Sequence, residues 1–387
     1  MESMTNQWFE QLVERTDTHS LKWNRYKNKD VIPLWVADSE FKSPTEIQAA
    51  LAKRVQHGIF GYHNPYHDED ATEAVVNWLD RRFNWKIESK WLVWTPGVVP
   101  AFNVMLRAFC QKGDGVIVQT PNYPPILNAA NHHSLETLSV GTVWSNGRWQ
   151  LDFEELERQA AKPNAKVFLL CNPMNPCGSV YTEKELEKIE AICLRNGVYL
   201  CSDEIHADLI LEPSQPHFPA GRLSEIGSQA VTLMAASKTF NIAGFGVSFA
   251  IIKDPKIRAQ FKQAADGICP SANNLGVIAT KTAFSQCEPW YLAQLDYLRA
   301  NQQYLNKAIN EIPGLEYKPQ AATYLAWINA EGLNVADVQK TFEEAGVGPS
   351  PGKDFGWPNY VRINFACPRS MLESAIERLQ QFLPKPR

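Results

Sequence analysis

The chain has 387 residues, more than one hydrophobic core commonly spans, so a large domain with a smaller companion is expected. Hydrophobic residues at 44% and charged residues at 21% belong to a folded globular protein, which excludes a disordered or collagen-like chain. Thirty-eight basic against 42 acidic side chains leave a net charge of −4, which argues against nucleic acid or an anionic membrane surface as the partner.

The first ten residues, MESMTNQWFE, lack both a basic segment and an apolar run, so no signal peptide is expected. Apolar stretches such as GFGVSFAII fall well short of the roughly 20 residues of a membrane helix. The 8 cysteines form no CxxC pair, which fits reduced thiols in a cytoplasm. His63 and His67 stand four apart, but Asn64-Pro65 between them opposes the helix a metal pair would need. In TPGVVPAFNVMLRAF (95–109), Phe102, Leu106 and Phe109 share a helical face, so a helix is predicted to begin near Val98 to Pro100. The turn at Gly97 then leaves free backbone N–H groups at its start, a ready site for a phosphate. DGVIVQTPNY (114–123) is a predicted strand whose Pro/Asn turn stiffens Tyr123.

AKVFLLCNP (165–173) is a second strand of this kind, followed by two Asn-Pro steps and a glycine in NPMNPCG, which stiffen the loop that carries Asn175. A helix follows, opened at Thr182 by a capping box with Glu185 and closed at Gly197. Three more strands are predicted at 198–205, 230–237 and 246–252. Such continuous apolar strands alternating with helices indicate a mostly parallel sheet covered on both faces, whose ligands bind beyond the carboxyl ends of the strands. Asp203 and His206 in SDEIH, and Ser237-Lys238 in AASKTF, sit at those ends. A carboxylate there is costly unless it meets a cation. Taken alone, Lys238 reads as a surface lysine at a strand end, while Asp203 reads equally as a cap or ion-pair residue and as the partner of a bound cation. Beyond about residue 287 the texture changes to a long polar helix, the strands ATYLAWINA and YVRINFACP, and a closing amphipathic helix, a smaller α+β domain. Its Gly/Pro-rich loop GVGPSPGKDFGWPN (346–359) reads as functional rather than as a linker.

A phosphate site, a stiffened aromatic ring, an amide, a carboxylate and a lysine together describe pyridoxal 5′-phosphate held through the lysine amine. The segments PLWVADSEF, GYH, TPGVVPAF, CNPMNPCG, SDEIHADL, SKTFNIAG, ATYLAWI and VRINFACPRS occur in an order that resembles the fold-type I pyridoxal-phosphate enzymes of the aminotransferase class I/II superfamily. Within it the chain is most similar to the MalY/PatB-type cystathionine β-lyases. The resemblance spans roughly residues 30 to 380, and SDEIH with SKTFN is its most specific part.

The resemblance implies an α/β fold with a large cofactor-binding domain over 46–286, a small α+β domain over 287–387, and residues 1–45 joining the latter. It implies that Lys238 holds the cofactor and moves the Cα proton, that Asp203 pairs with the pyridine nitrogen, and that Asn175 bonds the ring oxygen. Tyr123 would stack on the ring and His206 would belong to the cofactor site. The Val98 and Val99 amides and Ser237 would take the phosphate. Tyr62 would reach in from a second subunit of a homodimer, and Arg362 would clamp the α-carboxylate of an amino-acid substrate. The activity implied is cleavage of cystathionine or a related cysteine S-conjugate to thiol, pyruvate and ammonia. An aminotransferase, and a regulatory protein that keeps the fold and cofactor, are the alternatives. Two departures matter. GFGVS lacks the arginine with which many aminotransferases of this fold bind phosphate, as the MalY/PatB group also does. Ser39-Glu40 replaces the group's Met-Asp in a stretch near the substrate entrance.

Overall fold

The computed structural model describes residues 6–383 apart from 16, 224, 226 and 228. An eight-stranded sheet forms its centre: β1 (Leu92–Thr95), β2 (Gly115–Thr120), β3 (Glu136–Ser145), β4 (Arg148–Leu151), β5 (Ala165–Cys171), β6 (Tyr199–Asp203), β7 (Ala230–Met234) and β8 (Ser248–Ile251). The spatial order is β1-β8-β7-β6-β5-β2-β3-β4. The run from β7 to β3 is parallel, while β8 runs against both β7 and β1, and β4 closes a hairpin with β3. Because β8 is reversed, its amino end lies at the same edge as the carboxyl ends of β1, β2, β5, β6 and β7. The loops from six strands therefore meet there, as the parallel-sheet rule requires.

The strands are buried on both faces, which is why they read as unbroken apolar runs. On one face Val116, Val118, Val167, Leu169, Val231 and Leu233 pack with Phe102 and Met105 of the helix Val98–Phe109. On the other, Ile117, Phe168, Leu170 and Leu200 pack with Leu186, Ile189 and Cys193 of the helix Glu183–Asn196. That helix has both expected ends. Thr182 and Glu185 form the reciprocal capping box, and Gly197 closes it at φ 66°.

A second sheet is antiparallel throughout, with β9 (Glu316–Tyr317), β10 (Leu325–Asn329), β11 (Ser350–Pro351) and β12 (Tyr360–Asn364) in the order β9-β10-β12-β11. The helices Glu288–Asn310 and Arg369–Phe382 lie close to it in the chain and share its apolar cluster. Near the start of the chain, Ile32–Pro33 pairs in parallel with Val347–Gly348. Among the described residues, no helix is long and apolar enough to cross a membrane.

Candidate active site

A cavity of about 290 Å³ opens where the six strand ends meet. It is lined by Val98, Val99, Tyr123, Asn175, Asp203, His206, Ser237, Lys238 and Arg362, so nine of the ten residues expected from the sequence come together. Tyr62 is the exception. It is fully exposed and lines a separate surface concavity with His63, His67 and Lys281.

Each wall follows from its element. At the end of β1, Gly97 takes φ 147°, a conformation that favours glycine, and the helix Val98–Phe109 starts with no side-chain cap and no acidic residue in its first turn. Its first N–H groups are thereby left for an anion. Ser237 stands across the cavity on the loop after β7. Ala243, Gly246 and Val247 of the same loop line the adjoining wall. Asn172 N–H donates to the Asp203 carbonyl at 2.9 Å, tying the ends of β5 and β6 together.

The site gathers buried charges without matching them. One Asp203 oxygen accepts Ile205 N–H at 3.1 Å. Among the described residues Asp203 forms no ion pair, and burial pushes its carboxyl up to about 7 against the pull of that N–H and of Lys238. Burial, joined by the Arg362 charge, brings the Lys238 ammonium down to about 8, opposed by Asp38 and Asp203. Burial and the charges of Lys238 and Arg362 hold the His206 imidazole neutral, down to about 3, and its Nδ1 has no protein partner. Burial also raises the Tyr123 phenol.

Arg362 is 4% exposed, and its partners are all neutral. Nη1 donates to Asn175 Oδ1 at 2.9 Å, and Nη2 donates to the Trp35 carbonyl at 2.8 Å and to Ser350 Oγ at 3.2 Å. Nε is buried with no partner, and burial lowers the guanidinium to about 10, still charged at neutral pH. Asn175 Oδ1 is thus committed to Arg362, which leaves its amide NH₂ as the donor for a ligand. The fit to pyridoxal phosphate rests on these unmatched groups: a carboxylate without a cation, a helix start without an anion, an amide donor and a reactive amine.

The sequence reading missed the backbone strap over residues 34–43. Lys238 Nζ donates to the Ala37 carbonyl at 2.7 Å, and Tyr324 OH reaches the same oxygen at 3.2 Å. Asn364 Nδ2 donates to the carbonyls of Val36 and Asp38 at 2.7 and 2.6 Å. On the other side, Asn241 Nδ2 donates to the carbonyls of Ser39 and Phe41 at 3.0 and 2.8 Å. Ala37 has no functional side chain and Trp35 acts through its carbonyl, so no residue-type signal marked either. Tyr324 lay within ATYLAWI but drew no role. Glu40 lies elsewhere than its stretch suggested. It is 4% exposed and bonded to Lys22 at 2.7 Å, Arg15 at 3.2 Å and Trp23 Nε1 at 3.0 Å. Burial alone would raise its carboxyl, but Lys22 and Arg15 hold it below its ordinary range. It anchors the strap instead of facing a ligand.

The comparisons with known proteins come to the same place. The cystathionine β-lyase PatB of Bacillus subtilis (strain 168) is 34% identical, over 97% of this chain and 99% of its own. A crystal structure of OvoB superposes with a TM-score of 0.94 at 42% identity, covering 98% of this chain and 100% of that one. Cystalysin from Treponema denticola, solved with pyridoxal 5′-phosphate, superposes with a TM-score of 0.91 at 33% identity, covering 96% of this chain and 98% of its own. Residues 29–379 match the aminotransferase class I and II family, and the chain belongs to it.

Proposed function

We propose that this chain is a pyridoxal-phosphate-dependent C–S β-lyase that converts cystathionine, or a related cysteine S-conjugate, and one water into a thiol, pyruvate and ammonia. The observation that carries this reading is one cavity holding a buried carboxylate and a buried guanidinium, neither with a counter-ion of its own. A ligand with a protonated ring nitrogen satisfies Asp203, and an amino acid's α-carboxylate satisfies Arg362. The full-length likeness to a named cystathionine β-lyase supports elimination over transamination.

In this reading the Val98 and Val99 amides and Ser237 hold the phosphate, Asp203 holds the ring nitrogen, and Asn175 donates to the phenolic oxygen. Tyr123 covers a ring face, His206 forms part of the wall, and Lys238 is the covalent anchor. The cofactor, when bound, supplies an electron sink that acidifies the substrate Cα–H. Arg362 fixes the substrate by its carboxylate, with Asn175 joining that clamp to the cofactor side. Lys238, whose burial and Arg362 neighbour favour the neutral amine, takes the Cα proton. The Ala37 carbonyl then accepts a hydrogen bond from the newly charged Nζ.

A homodimer completes the reading. Ile59 and Phe60 are exposed beside Tyr62, and a second copy packed on them brings Tyr62 to the neighbouring cavity. We place the domain boundaries near 45 and 286, between the elements that serve the two sheets. Six of eight cysteines are buried free thiols, which suits the cytoplasm.

Product analysis tests the chemistry. With cystathionine, homocysteine, pyruvate and ammonia are expected in equal amounts with no added keto acid. Turnover that stalls until a keto acid is supplied would replace the lyase with an aminotransferase.

A further inference from the structure

Arg362 forms no ion pair among the described residues, yet it is charged and buried. One more group touches it. Its Cζ lies 4.7 Å from the centroid of the Phe355 ring, and Phe355 is 2% exposed. A ring face attracts a cation most strongly where water is excluded, and it leaves the guanidinium edges free.

Phe355 is itself held by a pile of aromatic rings. Trp327 is the register partner of Arg362 across β10 and β12, and Ser350 is its partner across β11 and β12. Trp327 meets Phe355 edge-on at 5.5 Å and stacks on Tyr360 at 5.0 Å. Trp357 touches Tyr360 at 5.1 Å and Trp149 of β4 at 5.0 Å, so the pile reaches the edge of the large sheet. The loop that presents Phe355 closes tightly. A Cβ on Gly352 would lie 2.2 Å from the carbonyl oxygens of Trp357 and Tyr360, so only glycine fits there. The Phe355 carbonyl accepts Asn122 N–H at 3.3 Å, just before Tyr123. One residue thus touches the carboxylate clamp with its ring and the ring-stacking turn with its backbone.

We infer that Phe355 is the positioning residue of the substrate clamp. Its ring substitutes for a counter-ion on one face of Arg362, and so keeps the guanidinium oriented without blocking the edge that receives the α-carboxylate. This inference rests on the reading of Arg362 as the carboxylate clamp. An acidic residue in this place would hold the arginine as well, but would compete with the substrate.

The test compares Phe355→Leu and Phe355→Tyr in the cofactor-loaded enzyme. Each is assayed with a β-thio amino acid and with its α-carboxamide, which carries no anion. Phe355→Leu should raise KM for the acid by up to about thirtyfold, the size of a desolvated cation–ring contact, with kcat changed less than about twofold. KM for the carboxamide should stay put, and Phe355→Tyr should restore the acid's value. If Phe355→Leu does not fold by circular dichroism, Phe355→Met takes its place. Parallel shifts for acid and carboxamide, or no shift for either, would overturn the positioning role. Arg362→Lys is the separate control: an unchanged KM for the acid there would remove the clamp itself.

Discussion

Asp203 and Lys238 carry charges that burial makes expensive, and their titration offers a direct check. In protein stripped of cofactor, Asp203 titrates near 7 when folded and near 3.8 when unfolded. Between those values the folded chain holds more protons than the unfolded one, so stability falls as pH rises through that window. Lys238 does the reverse. Its folded value near 8 lies below its ordinary 10.5, so its cost is present below pH 8 and fades as pH climbs to 10.5. Asp203→Asn removes the first cost, and with it the support that Asp203 gives the Lys238 charge. The stripped variant should match wild type at pH 4 and exceed it at pH 8. The gain should reach up to about 4 kcal/mol, at roughly 1.4 kcal/mol for each pH unit between the unfolded and folded values of Asp203. Urea unfolding at the two pH values measures this, and an equal difference at both would contradict the assigned burial cost. The same variant should hold the cofactor more weakly, because the ring nitrogen loses its anion. At this scale the sequence was legible where a charged side chain enters the cavity, as at Asp203, Lys238 and Arg362. It was opaque wherever a carbonyl does the work, as at Trp35 and Ala37, because any residue supplies that group.

The helix Glu183–Asn196 shows how far local signals reach. Its capping box and its terminal glycine were both readable, because each satisfies backbone groups within a few residues. Thr182→Ala should lower stability by about 1 kcal/mol, since it strips the cap from Glu185 N–H. Chemical unfolding reads the loss, and kcat should not move, because the helix packs on the sheet face away from the cavity. A fall in kcat would tie this helix to the site. The strands β2, β5, β6, β7 and β8 were also anticipated, with β6 and β7 ending earlier than the apolar pattern suggested. Their last predicted residues turn away to form the cavity floor. The strand β1, the β3–β4 hairpin and the helices Thr45–Gln56, Glu69–Phe83 and Asn274–Gln286 went unread. β3 has mixed burial and Asn274–Gln286 carries small and polar residues on its buried face, so neither shows a clean period.

For the whole molecule, the decisive question is whether each cavity is finished by a second copy. Tyr62 is exposed, and among the described residues no hydrogen bond or ring contact engages it. If it serves the neighbouring cavity, Tyr62→Ala and Lys238→Ala chains, each inactive alone, should complement when refolded together. Half the dimers would be mixed, and each mixed dimer would own one intact site, giving about a quarter of wild-type turnover. Mixtures no more active than their parents would confine the site to a single chain.

The strap over residues 34–43 joins parts of the chain that synthesis separates widely. Its carbonyls wait for Lys238 and Asn241, about 200 positions later, and for Arg362 and Asn364, more than 320 positions later. Contacts that distant close last, because each must overcome the entropy of a very long loop. The large sheet is complete once Ile251 has been made, but Arg362 and its Ser350 partner are still to come. Until the strand at 360–364 leaves the ribosome, the emerging chain can own a finished central sheet and still lack a working centre. Assembly order thereby separates the two cations of the cavity: Lys238 can meet its Ala37 acceptor long before Arg362 joins them.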